Sequence, residues 1–315
     1  MKDRIDYIDT AKGIGIILVV WLHMGSVGKL PYFIDWGGYI TTFYMILFFV
    51  MSGMFFRPIH MKKKVYRLMV PYFSFYVLAF GIYVVKGLLK GEMIDWMNFF
   101  VPLCGGTSGY ENTPIWFLLS LTQIMLLAAL MLRLWYSRWM IAFVFVLAVA
   151  FHYYRRCVGE VPYYIDVSFV CLPFFLCGHF FKSFFVQKLK GIMAVVAFAL
   201  SIILYSLMPG FVNVSQDSMP QGFLMFAVVA MLASMGVIGI SRHIQGRAAW
   251  LLQLLGKNSL GLMCIHMMLM TVDSALCRMI PNVVAANWVG LIIITAIALV
   301  FSLLISKYCP KLVGR

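Results

Sequence analysis

Charge is what this sequence lacks most. Only 11% of its 315 residues are Asp, Glu, Lys or Arg, well under the roughly 25% usual for a soluble domain, so a water-exposed surface cannot be built over most of the chain. No Cys-x-x-Cys pair occurs among the seven cysteines. Cys171 and Cys177 lie inside an apolar run, so the default is a small buried side chain and no metal site is expected. Cys104, Cys157 and Cys277 fall in connections where a disulfide is permitted, with no pairing fixed. There is no P-loop, no Gly-x-Gly-x-x-Gly and no His-Glu-x-x-His, so ATP hydrolysis, nicotinamide chemistry and zinc catalysis are without support. Nor is there a repeated helical unit or a low-complexity tract, which argues against a transporter of two similar halves.

What the sequence has is hydrophobicity. Apolar residues make up 63% of it and the mean hydropathy is +0.95, in runs that recur from Gly13 to the C-terminus between short polar or Pro/Gly breaks. These runs mark an all-α integral membrane protein with no stretch left over for a soluble domain, and a single membrane domain over 1–315 is the expectation. At about 20 residues per span, a bundle of about ten helices is predicted near 13–31, 38–57, 68–87, 114–133, 138–154, 166–182, 191–208, 220–240, 249–271 and 287–306. The first twelve residues carry three aspartates and no small-residue cleavage site follows, so the first span is expected to stay attached.

With the N-terminus in the cytoplasm, the inner side collects Lys2, Arg4, Arg57, Lys62, Lys63, Lys64, Arg67, Arg133, Arg138, Lys182, Lys188, Lys190, Arg242, Arg247, Lys307, Lys311 and Arg315. The outer connections keep only Lys29, Lys86, Lys90, Arg155, Arg156 and Arg278. This asymmetry supports an even number of crossings with both termini cytoplasmic. It accounts for the net charge of +14 as topology, with no nucleic-acid partner implied. The longest connection, between Lys90 and Pro114, contains CGGTSGYENTP and is too polar to span. A functional loop and a flexible connector are both open there.

The first span raises the chemical question. On a helix the step from Lys12 to His23 turns through three turns plus about 20° and rises about 16 Å, so both side chains face one way, with Asp9 one turn before Lys12 on nearly the same face. An ionisable group in the bilayer is costly unless it faces a wet cavity or a partner. Two readings of His23 stand: a packing histidine satisfied by one hydrogen bond, or a proton-transfer group, since imidazole takes and returns a proton near neutral pH. Lys12 alone reads as a lysine snorkelling into headgroups; its registry with His23 favours a functional role.

These residues resemble a known family. The stretch RIDYIDTAKGIGIILVVWLH is similar to the first helix of the membrane acyltransferase 3 family, particularly its fucose 4-O-acetylase-like branch, in which a basic residue, ten intervening residues and a histidine form the signature. Lys12 stands where arginine is commoner, which implies a point charge rather than a bidentate fork. Further blocks resemble the family in order: FYMILFFVMSGMFFRP with Ser52 and Gly53, KKKVYRLMVPY with Lys64 and Arg67 three residues apart, PIWFLLSL, and LGKNSLGLMCIHMML with Asn258, Ser259 and His266.

The resemblance implies transfer of an acyl group, usually acetyl from cytosolic acetyl-CoA, to a hydroxyl commonly on a surface glycan, in a bacterial inner or plasma membrane. No bound cofactor is expected, only acetyl-CoA as donor substrate, a glycan acceptor and membrane lipid. Members with a fused extracytoplasmic esterase-like domain hand the acyl group onward. No such domain is recognisable in this sequence, so direct action or a separate partner is expected. Acetyl-CoA is polyanionic, which gives Lys62, Lys63, Lys64 and Arg67 work at the cytosolic mouth, Arg67 having the best geometry for phosphate; positive-inside topology explains the same cluster without a ligand. His23 would take the acceptor's proton as the hydroxyl attacks the thioester, or form an acetyl-histidine intermediate.

Other positions are open to a functional and a plain reading alike. His266 suits a second proton relay, acceptor positioning or helix packing. Asn258 and Ser259 suit capping of their helix. Glu111 suits a sugar hydroxyl, and Trp116 a stacked sugar ring or an interfacial anchor. Ser52 and Gly53 suit close helix approach and a catalytic role equally. Asp166 and His179 read as interfacial, and His60 and His243 carry no specific signal. The competing class, a multi-span transporter or flippase of a polysaccharide unit, calls for broken midplane helices with charge spread over several spans.

Overall fold

The computed structural model describes residues 5–104, 113–159 and 161–314. The suggested sugar contact Glu111 and most of the CGGTSGYENTP segment lie outside the described residues, as do Lys2, Arg4 and Arg315. Twelve helices follow one another: α1 Asp6–His23, α2 Phe33–Met54, α3 Met61–Lys90, α4 Trp116–Leu134, α5 Trp139–Val158, α6 Ile165–Phe180, α7 Gly191–Leu207, α8 Phe223–Ile240, α9 Gly246–Lys257, α10 Ser259–Ile265, α11 Met270–Met279 and α12 Val283–Tyr308. There is no strand among the described residues, and the architecture is an all-α membrane bundle.

Among the described residues, eight helical segments are long and apolar enough to cross a bilayer. α7 is apolar but shorter, and α1 carries Asp6, Asp9 and Lys12 along its first half. Those two account for the difference from the ten spans read from sequence. The lipid-bathed origin of the pattern shows on α3, which leaves Phe73, Val77, Leu78, Val85, Leu88 and Leu89 exposed, as expected where the solvent is hydrocarbon. At the centre, α2, α6 and α8 bury Ile46, Leu47, Phe49, Phe175 and Phe226 completely.

Close approach of these central helices depends on glycine. A Cβ at Gly53 of α2 would overlap the Phe175 carbonyl oxygen of α6, and one at Gly178 of α6 would overlap that of Val50 on α2. Between lipid-solvated helices such backbone contact replaces the hydrophobic drive that water would supply. Gly53 thus makes the close contact of the packing alternative, with half-buried Ser52 beside it.

Two sequence-based boundaries are corrected. The first helix, expected over 13–31, runs from Asp6 to His23, so His23 closes it instead of lying inside it. Asp6 and Asp9 suit the positive helix N-terminus, and beyond His23 the Ser26 amide N–H is taken by the Asp273 carboxylate at 2.9 Å, which draws the chain into a turn over Val27–Lys29. The ninth span, expected as one helix over 249–271, is three. α9 ends at Lys257, α10 and α11 follow, and a tight turn over His266–Leu269 separates the last two. α9 lies along α1, held by two glycines: a Cβ at Gly13 would overlap the Leu252 carbonyl, and one at Gly256 that of Asp9. A moderately apolar helix next to a polar Asn-Ser junction merges with the following span when read by hydrophobicity alone.

Candidate active site

α1 connects two cavities of opposite character. Ile5, just before it, lines the first, and Leu22 and His23, at its end, line the second. Eighteen residues of helix put these ends about 27 Å apart.

The first cavity, about 790 Å³, is basic. α3 contributes Lys63, Lys64 and Arg67 from its first two turns, the loop before it Arg57 and His60, and α6 and the turn after it His179 and Lys182. None of the described lining residues is Asp or Glu. The cations are held by neutral groups: Lys64 donates to the Arg57 carbonyl and its ammonium lies 4.8 Å over the Phe56 ring, while Lys182 lies 4.8 Å over Phe55. Cations pinned by ring faces and carbonyls keep their charge uncompensated and oriented, which is what binding of a phosphate-rich ligand requires. The sequence nominated Lys63, Lys64 and Arg67; it missed Arg57, Lys182 and His179 because they come from other segments.

The second cavity, about 310 Å³, is nearly neutral and part aromatic. His23 and Leu22 of α1, Thr41 and Tyr44 of α2, Pro114 and Trp116 at the start of α4, Tyr164 before α6, and Phe211, Val212, Asn213, Ser215 and Gln216 between α7 and α8 line it. Trp116 and Tyr164 face each other with ring centroids 6.0 Å apart. The polar run from Asn213 to Gln216 was not nominated from sequence, although a connection so rich in amides and hydroxyls between two apolar helices was the available signal.

His23 is set up in one tautomer. Its Nδ1 lies 2.7 Å from the Val19 carbonyl oxygen; a carbonyl only accepts, so Nδ1 carries the hydrogen and in the neutral ring Nε2 keeps its lone pair. His266 repeats the arrangement, with Nδ1 3.0 Å from the Leu262 carbonyl oxygen. The two rings meet edge to face, 5.1 Å between centroids at 67°. His266 is fully buried and its Nε2 has no hydrogen-bond partner among the described residues.

The remaining nominated residues fall elsewhere. Lys12 and Asp9 face each other at 3.9 Å on α1, between the two cavities. Asn258 is buried at the α9–α10 junction, where its amide donates back to the Leu254 carbonyl at 2.8 Å, and its side chain does not cap α10 as expected. Ser259 opens α10 beside it, half-buried.

A family model described as an acyltransferase domain matches residues 5–307. The chain belongs to the acyltransferase 3 family. No curated protein and no solved structure matches it. This acyltransferase is thus a multi-pass membrane enzyme that transfers acyl groups. Its second cavity carries a fixed imidazole lone pair. The first gathers cations with no Asp or Glu among its described lining residues.

Proposed function

We propose that this acyltransferase moves an acetyl group from acetyl-CoA, bound at the basic cavity on the cytosolic side of a bacterial plasma membrane, to a hydroxyl of a glycan entering the His23 cavity from the other side. The observation that carries the proposal is the pairing of a phosphate-suited cavity and an imidazole-bearing, aromatic-walled cavity at the two ends of one helix. Arg57, Lys63, Lys64, Arg67 and Lys182 suit the coenzyme's phosphates, Arg67 by its planar fork. Lys12, about 16 Å before His23 along α1, supplies the cation along the route of the pantetheine arm.

At the far end the acceptor oxygen attacks the thioester carbonyl carbon while His23 Nε2 takes its proton. The C–S bond breaks as the tetrahedral intermediate collapses, and the thiolate leaves with that proton returned from Nε2. His266, edge-on to His23, holds the imidazole's orientation and sits where a second proton carrier would be of use. Trp116 and Tyr164 offer ring faces to a sugar. The sugar acceptor follows the likeness of α1 to the fucose 4-O-acetylase-like branch.

The test uses inverted membrane vesicles carrying wild-type or His23→Ala protein, with radiolabelled acetyl-CoA outside and label followed into glycan and free acetate. Label in glycan with the wild type alone is the expected result. Failure of both proteins to bind or consume acetyl-CoA in the presence of host glycan overturns the donor and returns attention to transport of a polysaccharide unit.

A further inference from the structure

The connection between α7 and α8 is built with more care than a link of its length requires. It folds into a hairpin: the Asn213 N–H donates to the Ser218 carbonyl at 2.9 Å and the Ser218 N–H to the Asn213 carbonyl at 3.0 Å. Two anchors hold it. On one side the Val212 N–H donates to the Thr41 hydroxyl of α2 at 3.1 Å. On the other, Asp217 turns its carboxylate inward to His152 of α5, with Oδ1 and Nδ1 3.0 Å apart and both side chains at most 1% exposed. Asp217 reaches that position in a left-handed backbone conformation, φ +49°, which is strained for a residue with a side chain. Next to it a buried ion pair, Arg155 with Asp166, ties α5 to α6.

A buried carboxylate and a left-handed non-glycine residue are both unfavourable by themselves. Together they fix one thing, the face of the hairpin turned to the His23 cavity. There Asn213, Ser215 and Gln216 line the same cavity as Trp116, already joined to one another: Ser215 donates to Asn213 Oδ1 at 2.8 Å and Asn213 Nδ2 to Gln216 Oε1 at 2.9 Å. Carboxamides and hydroxyls both donate and accept, as do the hydroxyls of a sugar ring. No Asp, Glu, Lys or Arg is among the described residues lining this cavity, so its polarity suits an uncharged polyol and gives a sugar acid no counter-ion.

We propose that the Asn213–Ser218 hairpin reads the acceptor, with Asn213, Ser215 and Gln216 binding hydroxyls of a neutral sugar against Trp116, and that His152, through Asp217, is the positioning residue that keeps the hairpin in register with His23. This rests on the reading of the His23 cavity as the acceptor site and adds what selects the acceptor there.

The experiment uses the full-length protein in lipid nanodiscs with labelled acetyl-CoA. Three probes serve as acceptors: glycan extracted from host membranes, methyl hexopyranosides and methyl hexuronides. Losing one hydrogen bond to the sugar is expected to raise the acceptor KM of Gln216→Ala and of Asn213→Ala about tenfold and to change the order of preference among the glycosides, with the KM for acetyl-CoA unmoved. Gln216 is exposed, so its variant keeps the fold and its result stands even where His152→Ala does not assemble. His152→Ala is expected to raise the acceptor KM and lower kcat, and His152→Gln, which can still donate to Asp217, to restore most of both. Unchanged acceptor KM and preference in Gln216→Ala and Asn213→Ala overturn the proposal, as does a wild type that favours hexuronides. Donor and acceptor KM rising together in His152→Ala overturns the positioning role. A wild type that passes label to none of the three probes overturns instead the acceptor reading of the cavity, an outcome distinct from the others.

Discussion

The two ends of α1 show two ways of building a cavity inside a membrane bundle. At the basic end, charge is gathered from α3, α6 and the loops beside them, with Lys64 and Lys182 set over ring faces and no Asp or Glu among the described lining residues. At the His23 end no Asp, Glu, Lys or Arg is among the described lining residues; one imidazole is held in one tautomer by its own helix, and the His152–Asp217 hydrogen bond and the Arg155–Asp166 ion pair are buried beyond that lining. The first design attracts a ligand over a distance and tolerates imprecision, because Coulomb forces fall off slowly. The second depends on angles and on the removal of water. One helix thus borders two cavities of opposite electrostatic character, one at each end.

That contrast breaks most sharply at His23. His23→Ala is expected to lower acyl transfer by about 10²–10⁴-fold, the usual worth of a general base, with membrane level and donor affinity retained; labelled-acetyl transfer against donor binding by dialysis measures both. Retention of full activity would remove the chemical half of the comparison.

The scaffold common to both ends is tested at Gly53. Replacing it by leucine drives a side chain into the Phe175 carbonyl and is expected to destabilise the protein by about 1–3 kcal/mol or more, seen as a lower melting temperature in detergent and a loss of both functions together.

At the basic end a single contact should matter less and differently. Arg67→Ala is expected to raise the KM for acetyl-CoA about tenfold with kcat nearly unchanged, and Arg67→Lys to recover part of it, since a point charge replaces a fork. The same affinity should weaken as salt is raised, whereas acceptor KM should not follow salt. The smallest effect is expected at Trp116→Ala, a rise of a few-fold in acceptor KM from loss of the ring face, read by initial rates at saturating donor.

Much of this was legible in the residues, for identifiable reasons. Apolar runs of span length exposed the bundle, because hydrocarbon tolerates no other backbone than one bonded within itself. The period of the helix placed Asp9, Lys12 and His23 on one face, and adjacency placed Lys63, Lys64 and Arg67 together. Asn213, Ser215 and Gln216 escaped because hairpin residues have no periodicity, and Arg57 and Lys182 because nothing local distinguishes a cavity lysine from one that satisfies topology. The true end of α1 and the division of 246–279 into three helices escaped too. A carboxylate 247 residues away and a glycine contact between α1 and α9 set them.

The sequence by itself determined the solvent, the helical class, the family signature and the two histidines, since each is a property of composition or of spacing along one helix. Only the tertiary structure decided that His23 and His266 meet 5.1 Å apart, that five cations from separate segments share a cavity, and that a hairpin faces the imidazole. Those are contacts between residues far apart in the chain, fixed by which helices glycine lets touch.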